Sequence, residues 1–196
     1  MRNFFAFFLT FALAGAFVPA VYAQQTGPAT STQVTAKPDR LDALFGDLKR
    51  ERNERAAQRI AQRIREEWNR SGSASIDLMM QWSQKAMGDQ KFDVALDFLD
   101  QVVTLDPSYA EGWNRRATVH FMMQNFGKSM SDINQTLRLE PRHFGALAGM
   151  AQIMKERGNK QLALNAWQRV LDIYPMMRSA QNEVSTLSEE LAGEGI

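Results

Sequence analysis

The sequence predicts an all-α chain built from repeated helix pairs, and three observations support that prediction. Between residues 76 and 175 the pattern of apolar, small and proline residues repeats every 34 residues. Each repeat unit holds two stretches with the apolar periodicity of an amphipathic helix. Proline returns at the end of every unit, at Pro107, Pro141 and Pro175. Such a period is typical of a solenoid, in which stacked helix pairs bury a continuous core.

The first 23 residues have the features of a secretory signal peptide. One basic residue, Arg2, precedes an apolar run from Phe4 to Val18, and a small-residue exit follows at residues 21–23. The run is about 15 residues long, whereas roughly 20 are needed to span a bilayer. We therefore expect cleavage after Ala23, a periplasmic location, and no stable membrane span after cleavage.

Two segments precede the repeats. Residues 24–38 are rich in Thr, Ser, Gln and Pro without apolar periodicity, which is typical of a flexible leader. Residues 39–75 carry two apolar stripes that predict a helical pair or one long bent helix. When the 34-residue step is extended one period toward the N terminus, four residues of this segment align with the later units: Phe45, Leu48, Ala61 and Trp68. The segment is therefore a candidate degenerate fourth repeat.

Three units follow, at residues 76–109, 110–143 and 144–177, and a final segment covers residues 178–196. Their agreeing columns are Met79, Trp113 and Leu147; Ser83, Ala117 and Ala151; Ala95, Ser129 and Ala163; Leu99, Ile133 and Trp167; Val102, Thr136 and Val170; and, most loosely, Trp82, Arg116 and Met150. The small columns permit close helix approach, while the large columns fill the space between helices. Because proline disfavours helix in the residue before it, each proline ends a unit.

The final segment has a single apolar stripe, formed by Ala180, Val184, Leu187 and Leu191. A helix that is apolar on one side only is the form that closes a stacked core against water. We therefore predict a C-terminal capping helix followed by a short tail.

The repeat columns resemble those of the tetratricopeptide repeat (TPR) family. The middle unit matches the family pattern at Trp113, Ala117, Phe126, Ser129, Ile133 and Pro141. It departs from the pattern at His120, where the family usually has Tyr, and at Ser129 and Thr136, which replace alanines. The resemblance implies a right-handed superhelix in which the first helix of each unit lines a concave surface.

The resemblance also implies a groove that binds a partner segment. The register places these residues on it: Met80, Gln84, Met87, Asn114, Arg115, Thr118, Phe121, Met122 and Gln152. Its methionines and Phe121 predict an apolar, deformable surface for a peptide or helix. Some family members grip a C-terminal carboxylate with Lys and Asn residues, a set that is not reproduced here. Only Arg115 is placed to pair with an acidic group of a partner.

Catalytic motifs are absent from the sequence, so we expect a protein that is not an enzyme and has no cofactor. The chain has no cysteine, which excludes disulfides and thiolate metal sites. His120 and His143 lie 23 positions apart without matched ligands, and we interpret His120 as a core or half-buried residue.

Eleven methionines allow a second hypothesis, because thioethers suit Cu(I) and an exported protein could meet that ion. Adjacent pairs occur at Met79–Met80, Met122–Met123 and Met176–Met177. Methionine is also an adaptable packing residue at helix interfaces, which is the interpretation we favour. A third hypothesis is a non-catalytic subunit of an envelope enzyme.

The overall charge of the chain gives no indication of a nucleic acid partner. The chain has 23 basic and 22 acidic residues, a net charge of +1. The Arg-rich stretch at residues 49–67 is interleaved with Glu and predicts a solvated helix face. The sequence as a whole predicts an exported scaffold that binds a protein or peptide partner in envelope assembly or maintenance, with its oligomeric state left open.

Overall fold

The structure is a computed structural model that describes residues 37–193. The described residues form α1 (Lys37–Arg50), α2 (Glu54–Trp68), α3 (Ala74–Gly88), α4 (Phe92–Leu105), α5 (Ala110–Met122), α6 (Phe126–Leu139), α7 (Phe144–Glu156), α8 (Lys160–Ile173) and α9 (Arg178–Gly193). They contain no strand, which confirms the all-α prediction. The predicted signal peptide and nearly all of the predicted leader lie outside the described residues, and α1 begins within the last two leader positions.

Three hairpins of helices, α3–α4, α5–α6 and α7–α8, reproduce the 34-residue units. The helices of each hairpin pack together, and the hairpins stack through α4 on α5 and α6 on α7. The two columns of small residues are fully or almost fully buried, as close packing requires. Where serine replaces alanine, Ser129 donates a hydrogen bond of 2.8 Å to the carbonyl of Ala117, across the hairpin.

The turn inside each hairpin has one residue in the left-handed region, at the same repeat position. These residues are Gln90 and Gln124, each at φ 58°, and Gly158 at φ 74°. In each turn the residue that follows the left-handed one donates its backbone N–H to the carbonyl oxygen five residues earlier. Asn125, for example, donates to His120 at 2.8 Å. This pattern ends the first helix and reverses the chain.

The turn between units also repeats. The residues before the three prolines have non-helical backbones, for example Asp106 at φ −135° and ψ 83° and Glu140 at φ −136° and ψ 93°. The second residue after each proline closes the turn by donating its backbone N–H to the carbonyl oxygen of the residue before the proline. His143, for example, donates to Glu140 at 3.0 Å. Proline disfavours the α-helical region for the residue before it, and these angles lie outside that region.

The last helix, α9, packs on α8. Ala180 and Leu187 are fully buried, and Val184 and Leu191 pack against the same core cluster. The remaining positions of α9 are mostly exposed and polar. The helix therefore separates the core of the last hairpin from water.

The N-terminal pair α1–α2 occupies a different position from the one that its register predicts. A repeat that preceded α3 would stack on the first hairpin, whereas α1 packs on α2 and α8. The apolar residues of the pair belong to one cluster with α7, α8 and α9, in which Trp68 contacts Phe144 with ring centroids 4.9 Å apart. The physical reason is that aromatic side chains of the last hairpin supply the complementary apolar surface for this pair.

Candidate functional site

A cavity of about 260 Å³ opens between α5 and α7. Its walls include the apolar side chains of Phe121, Ile133 and Trp167. Three polar side chains, those of Asn114, Thr118 and Gln152, also line it. The cavity thus combines an apolar interior with a few hydrogen-bonding groups, the composition of a site that orients an apolar ligand.

Two glycines one turn apart create this cavity. Gly145 and Gly149 on α7 occupy the repeat positions at which α5 carries Glu111 and Arg115. A Cβ atom at Gly149 would lie 3.4 Å from Cδ1 of Ile133, so any longer side chain would enter the cavity. The space is therefore a consequence of the missing side chains of α7.

Seven of the nine predicted groove residues line one of two depressions. Four of them line the cavity between α5 and α7: Asn114, Thr118, Phe121 and Gln152. Three others line a separate, more polar depression between α3 and α5: Met80, Gln84 and Arg115. The structure therefore brings seven of the nine to two neighbouring surfaces.

Met87 and Met122 line neither depression. Met87 is 9% exposed and belongs to the core cluster of the first hairpin. Met122 is 46% exposed at the last position of α5. The single deformable methionine groove expected from the sequence is thus corrected to an aromatic and small-residue cavity, because helical register alone does not fix the outermost turns.

Arg115 is engaged inside the protein. Its guanidinium pairs with Oε1 of Glu111 at 3.0 Å and donates to Oδ1 of Asn69 at 3.2 Å and to the side chain of Gln84. Its side chain is only 18% exposed. Arg115 therefore joins α5 to α3 and to the end of α2, and we correct the expectation that it stands ready for a partner's carboxylate.

Glu111 and His143 form a buried pair that the sequence did not reveal. Oε2 of Glu111 lies 3.1 Å from Nε2 of His143, while Nδ1 of His143 accepts the backbone N–H of Ala146 at 3.0 Å. Because Nδ1 accepts, the proton lies on Nε2 and points at the carboxylate. The imidazole also stacks on Trp68 with centroids 4.0 Å apart and planes at 11°.

Burial alone would raise the pKa of Glu111. The hydrogen bond from His143 and the cationic Arg115 outweigh burial and hold the pKa of Glu111 below its ordinary value. A buried carboxylate therefore stays ionised at neutral pH, with donors from α5 and α7 around it. The cluster fastens the starts of these two helices beside the cavity, and Trp68 connects it to α2.

In the sequence His143 has no matched ligands, and no pattern pairs it with Glu111. Its column contains Tyr109 and Met177, so no repeated residue type marked it. The available signal was that His143 is the residue immediately before the first turn of α7, where a side-chain acceptor caps a helix. His120, in contrast, is 7% exposed, which confirms its interpretation as a core or half-buried residue.

The methionine pairs are distributed over separate packing clusters. Met79 and Met80 lie in the core of the first hairpin, whereas Met176 and Met177 pack at the far end against α7–α9. The described residues also contain no group of three or more His, Cys, Asp or Glu side chains placed to hold a metal ion. The packing interpretation of methionine is the one that these positions favour.

None of the described helices has the length and apolar character that a membrane span requires.

Comparison with known proteins gives one relative that extends over nearly the whole chain. A TPR repeat-containing protein of Rhizobium etli is 50% identical over 195 residues, which cover 93% of this chain and 96% of that protein. The small glutamine-rich tetratricopeptide repeat-containing protein 2 of Saccharomyces cerevisiae is 23% identical over 117 residues, and the match spans 34% of its length. No protein-family model matches the chain.

Solved structures share the architecture. The first TPR of Spaghetti (RPAP3), solved with the HSP90 peptide SRMEEVD, has a TM-score of 0.58 at 23% identity and covers 61% of this chain and 95% of that one. The TPR2B domain of yeast Sti1, solved in a complex with pHsp70, has a TM-score of 0.55 at 14% identity and covers 60% of this chain and 99% of that one. At such identities the likeness establishes the fold alone.

Proposed function

The chain belongs to the tetratricopeptide repeat protein family, and on that premise we propose that it is a non-catalytic adaptor that binds a segment of a protein partner. The binding site is the cavity between α5 and α7. The observation that carries this proposal is the preformed apolar space beside Phe121 and Ile133, together with the polar side chains of Asn114, Thr118 and Gln152. A preformed site lowers the ordering cost of binding.

The size and lining of the cavity indicate the kind of segment that it would accept. A volume of about 260 Å³ accommodates one or two large apolar side chains and not a whole helix. The amide groups of Asn114 and Gln152 can each donate to and accept from the backbone of an extended or turning segment. We therefore expect a ligand with an apolar anchor side chain that is flanked by accessible backbone.

The segment differs from the peptide ligands of the structural neighbours. Spaghetti (RPAP3) was solved with a peptide whose last four residues are Glu-Glu-Val-Asp. In this chain Arg115, which neighbours the cavity residue Asn114 in sequence, already pairs with Glu111 and donates to Asn69. Recognition here therefore depends on an apolar anchor rather than on a terminal carboxylate.

The test uses two tryptophan variants on the same helix. Thr118 lines the cavity and is exposed, so Thr118→Trp would place an indole ring in or over the opening. Met122, one turn later and outside the cavity, provides the matched control, Met122→Trp. A displayed library of random peptides is selected on the wild-type protein, and affinities are then measured for all three proteins.

Enrichment of peptides with a shared apolar anchor is expected, with binding at least about tenfold weaker for Thr118→Trp and unchanged for Met122→Trp. Equal affinity for all three proteins would place the ligand elsewhere. Failure to enrich any peptide would argue against peptide binding altogether. Circular dichroism of both variants shows whether the helices are retained.

We also propose that the chain is exported to the periplasm and serves in envelope assembly or maintenance. The support is the signal-like composition of residues 1–23. After expression of the complete coding sequence in a Gram-negative host, the periplasmic fraction should contain protein whose N-terminal residue is Gln24. Recovery of an intact N terminus in the cytoplasmic fraction would contradict export.

A further inference from the structure

The first hairpin, α3–α4, has an uncovered apolar face, here termed the open face. It comprises Leu78, Trp82, Val94 and Phe98, with Leu105 at its end. Trp82 is 46% exposed and Val94 is 42% exposed. In the described part of the chain no helix packs on this face, since α1–α2 packs at the other end of the repeats.

The repeat register shows that the open face is a stacking face. Trp82 and Phe98 occupy the positions that Arg116 and Asp132 hold in the second unit. There, Arg116 forms a bidentate pair with Asp132 at 2.8 Å and also reaches back to Asp100 of the first unit at 2.9 Å. The column therefore faces the preceding unit.

At the first unit the same column has aromatic instead of charged residues. The rings of Trp82 and Phe98 lie 5.3 Å apart and line a depression. A terminal repeat that faced only water would carry a polar outer face. The aromatic pair, in which Trp82 is exposed and Phe98 is half-buried, therefore points to a partner that takes the place of a preceding unit.

We propose that the open face binds the open face of a second copy of this chain, forming a two-fold symmetric dimer. The other end of the repeats offers no matching surface, because α9 and the α1–α2 pair cover it. Head-to-tail stacking is thereby blocked, and the remaining self-association is isologous, in which one surface meets itself and the assembly closes.

The charges around the open face are compatible with such pairing. Its rim includes Lys85 and Lys91, which pair with Asp89 at 3.3 Å and 4.0 Å, and the exposed Asp93 and Asp97 follow along α4. A face with both signs can place its lysines against the aspartates of the other copy under a two-fold rotation. A face of one sign would repel its copy.

The size of the open face sets the expected affinity. Two helices of 15 and 14 residues are about 22 Å long and together about 20 Å wide, so each copy contributes on the order of 450 Å². Twice this area is below the roughly 1,200 Å² at which standard specific interfaces begin and falls in the range of weak, transient contacts, so we expect a reversible dimer with a micromolar dissociation constant, on the order of 10 μM. The open face and the α5–α7 cavity share no lining residue, so the two proposals stand independently.

The test is sedimentation velocity on protein purified after expression of the complete chain, at concentrations from about tenfold below to tenfold above that constant. The variant is Val94→Glu. The matched control is Leu162→Glu, because Leu162 holds the same repeat position on α8, is 52% exposed, and lies away from the open face. Both substitutions change an exposed side chain, and circular dichroism verifies that both proteins remain helical.

The wild type and Leu162→Glu should show a concentration-dependent dimer, and Val94→Glu should raise the dissociation constant at least about tenfold, because the interface would bury an unpaired charge. Trp82→Glu should have the same effect as Val94→Glu. A wild type that stays monomeric throughout overturns the proposal. So does a Val94→Glu protein that associates as strongly as the wild type, or a Leu162→Glu protein that is weakened equally.

Discussion

Nε2 of His143 lies 3.1 Å from Oε2 of Glu111, so a hydrogen bond joins the start of α7 to the start of α5 across one repeat unit. The same imidazole stacks on Trp68 at the end of α2. One buried cluster therefore connects two helices that border the proposed binding cavity with the helix pair packed against the last hairpin. The stability of the cavity wall depends on this cluster.

Glu111→Gln removes the buried charge while keeping the shape of the side chain. Arg115 then loses its ion-pair partner, and the free energy of unfolding should fall by about 1–3 kcal/mol in urea denaturation. The matched control is Glu156→Gln, an exposed residue at the end of α7, which should change stability by less than about 0.5 kcal/mol. Equal effects of the two substitutions would show that the buried cluster does not stabilise the fold.

The acid sensitivity of the fold should also depend on Glu111. The pKa of Glu111 is lower in the folded protein than in the unfolded chain. The Glu111–His143 pair therefore stabilises the fold fully above about pH 4.3. This stabilisation is lost as the pH falls through the lower pKa of the folded protein. Urea denaturation between about pH 5 and pH 3 measures this loss. The Glu111→Gln protein should show a shallower decline than the wild type. Parallel declines would contradict the account.

His120 predicts a separate pH effect at higher pH. Burial lowers its pKa, and its Nδ1 has no hydrogen-bond partner among the described residues. The unfolded state therefore binds a proton more readily, so this contribution to stability falls as pH drops below about 6.5. If His120 is the source, the fall in the free energy of unfolding below about pH 6.5 should disappear in His120→Leu and persist in His143→Gln.

Three turns at the same repeat position give a test of backbone strain. Gln124 has φ 58°, a conformation that costs non-glycine residues about 1 kcal/mol. Gln124→Gly should therefore raise the free energy of unfolding by about 1 kcal/mol, and Gly158→Gln should lower it by a similar amount. As a control, Gln81→Gly in the exposed interior of α3 should destabilise. Destabilisation by Gln124→Gly would contradict the turn argument.

Trp68 should determine whether α1–α2 stays docked. It is 7% exposed and touches His143 and Phe144, so Trp68→Ala should cost about 3–5 kcal/mol. Hydrogen exchange should quicken more in α2 than in α4, because α4 has no part in this cluster. The control Trp82→Ala removes an exposed indole and should leave α2 protected. Uniform loss of protection in both helices would show that the pair does not dock as a separate unit.

The sequence predicted the features that depend on local periodicity. Columns such as Ser83, Ala117 and Ala151 are buried where the 34-residue step places them, and each proline follows a non-helical residue that ends a helix. These features could be predicted because helix faces and turn conformations depend on nearby residues. The all-α repeat fold follows from them.

The features that the sequence did not predict depend on contacts between distant segments. The period identified which face of α2 is apolar, but several apolar surfaces compete for it, and Phe144 with its neighbours is the one that packs there. Glu111 and His143 stand 32 positions apart and share no repeat column, so no pattern paired them. Gly145 and Gly149 shape the cavity because they lack side chains. Sequence patterns that point to binding side chains therefore do not include these positions.

The central claim is that a partner segment binds in the cavity between α5 and α7, and methyl NMR tests it most directly. The Cδ1 methyl of Ile133 lines that cavity, whereas Ile173 packs near α9 and provides an internal reference. On titration with a library-selected peptide, the Ile133 methyl signal should shift with saturation while the Ile173 signal stays in place. A peptide that binds without moving the Ile133 signal would contradict the claim.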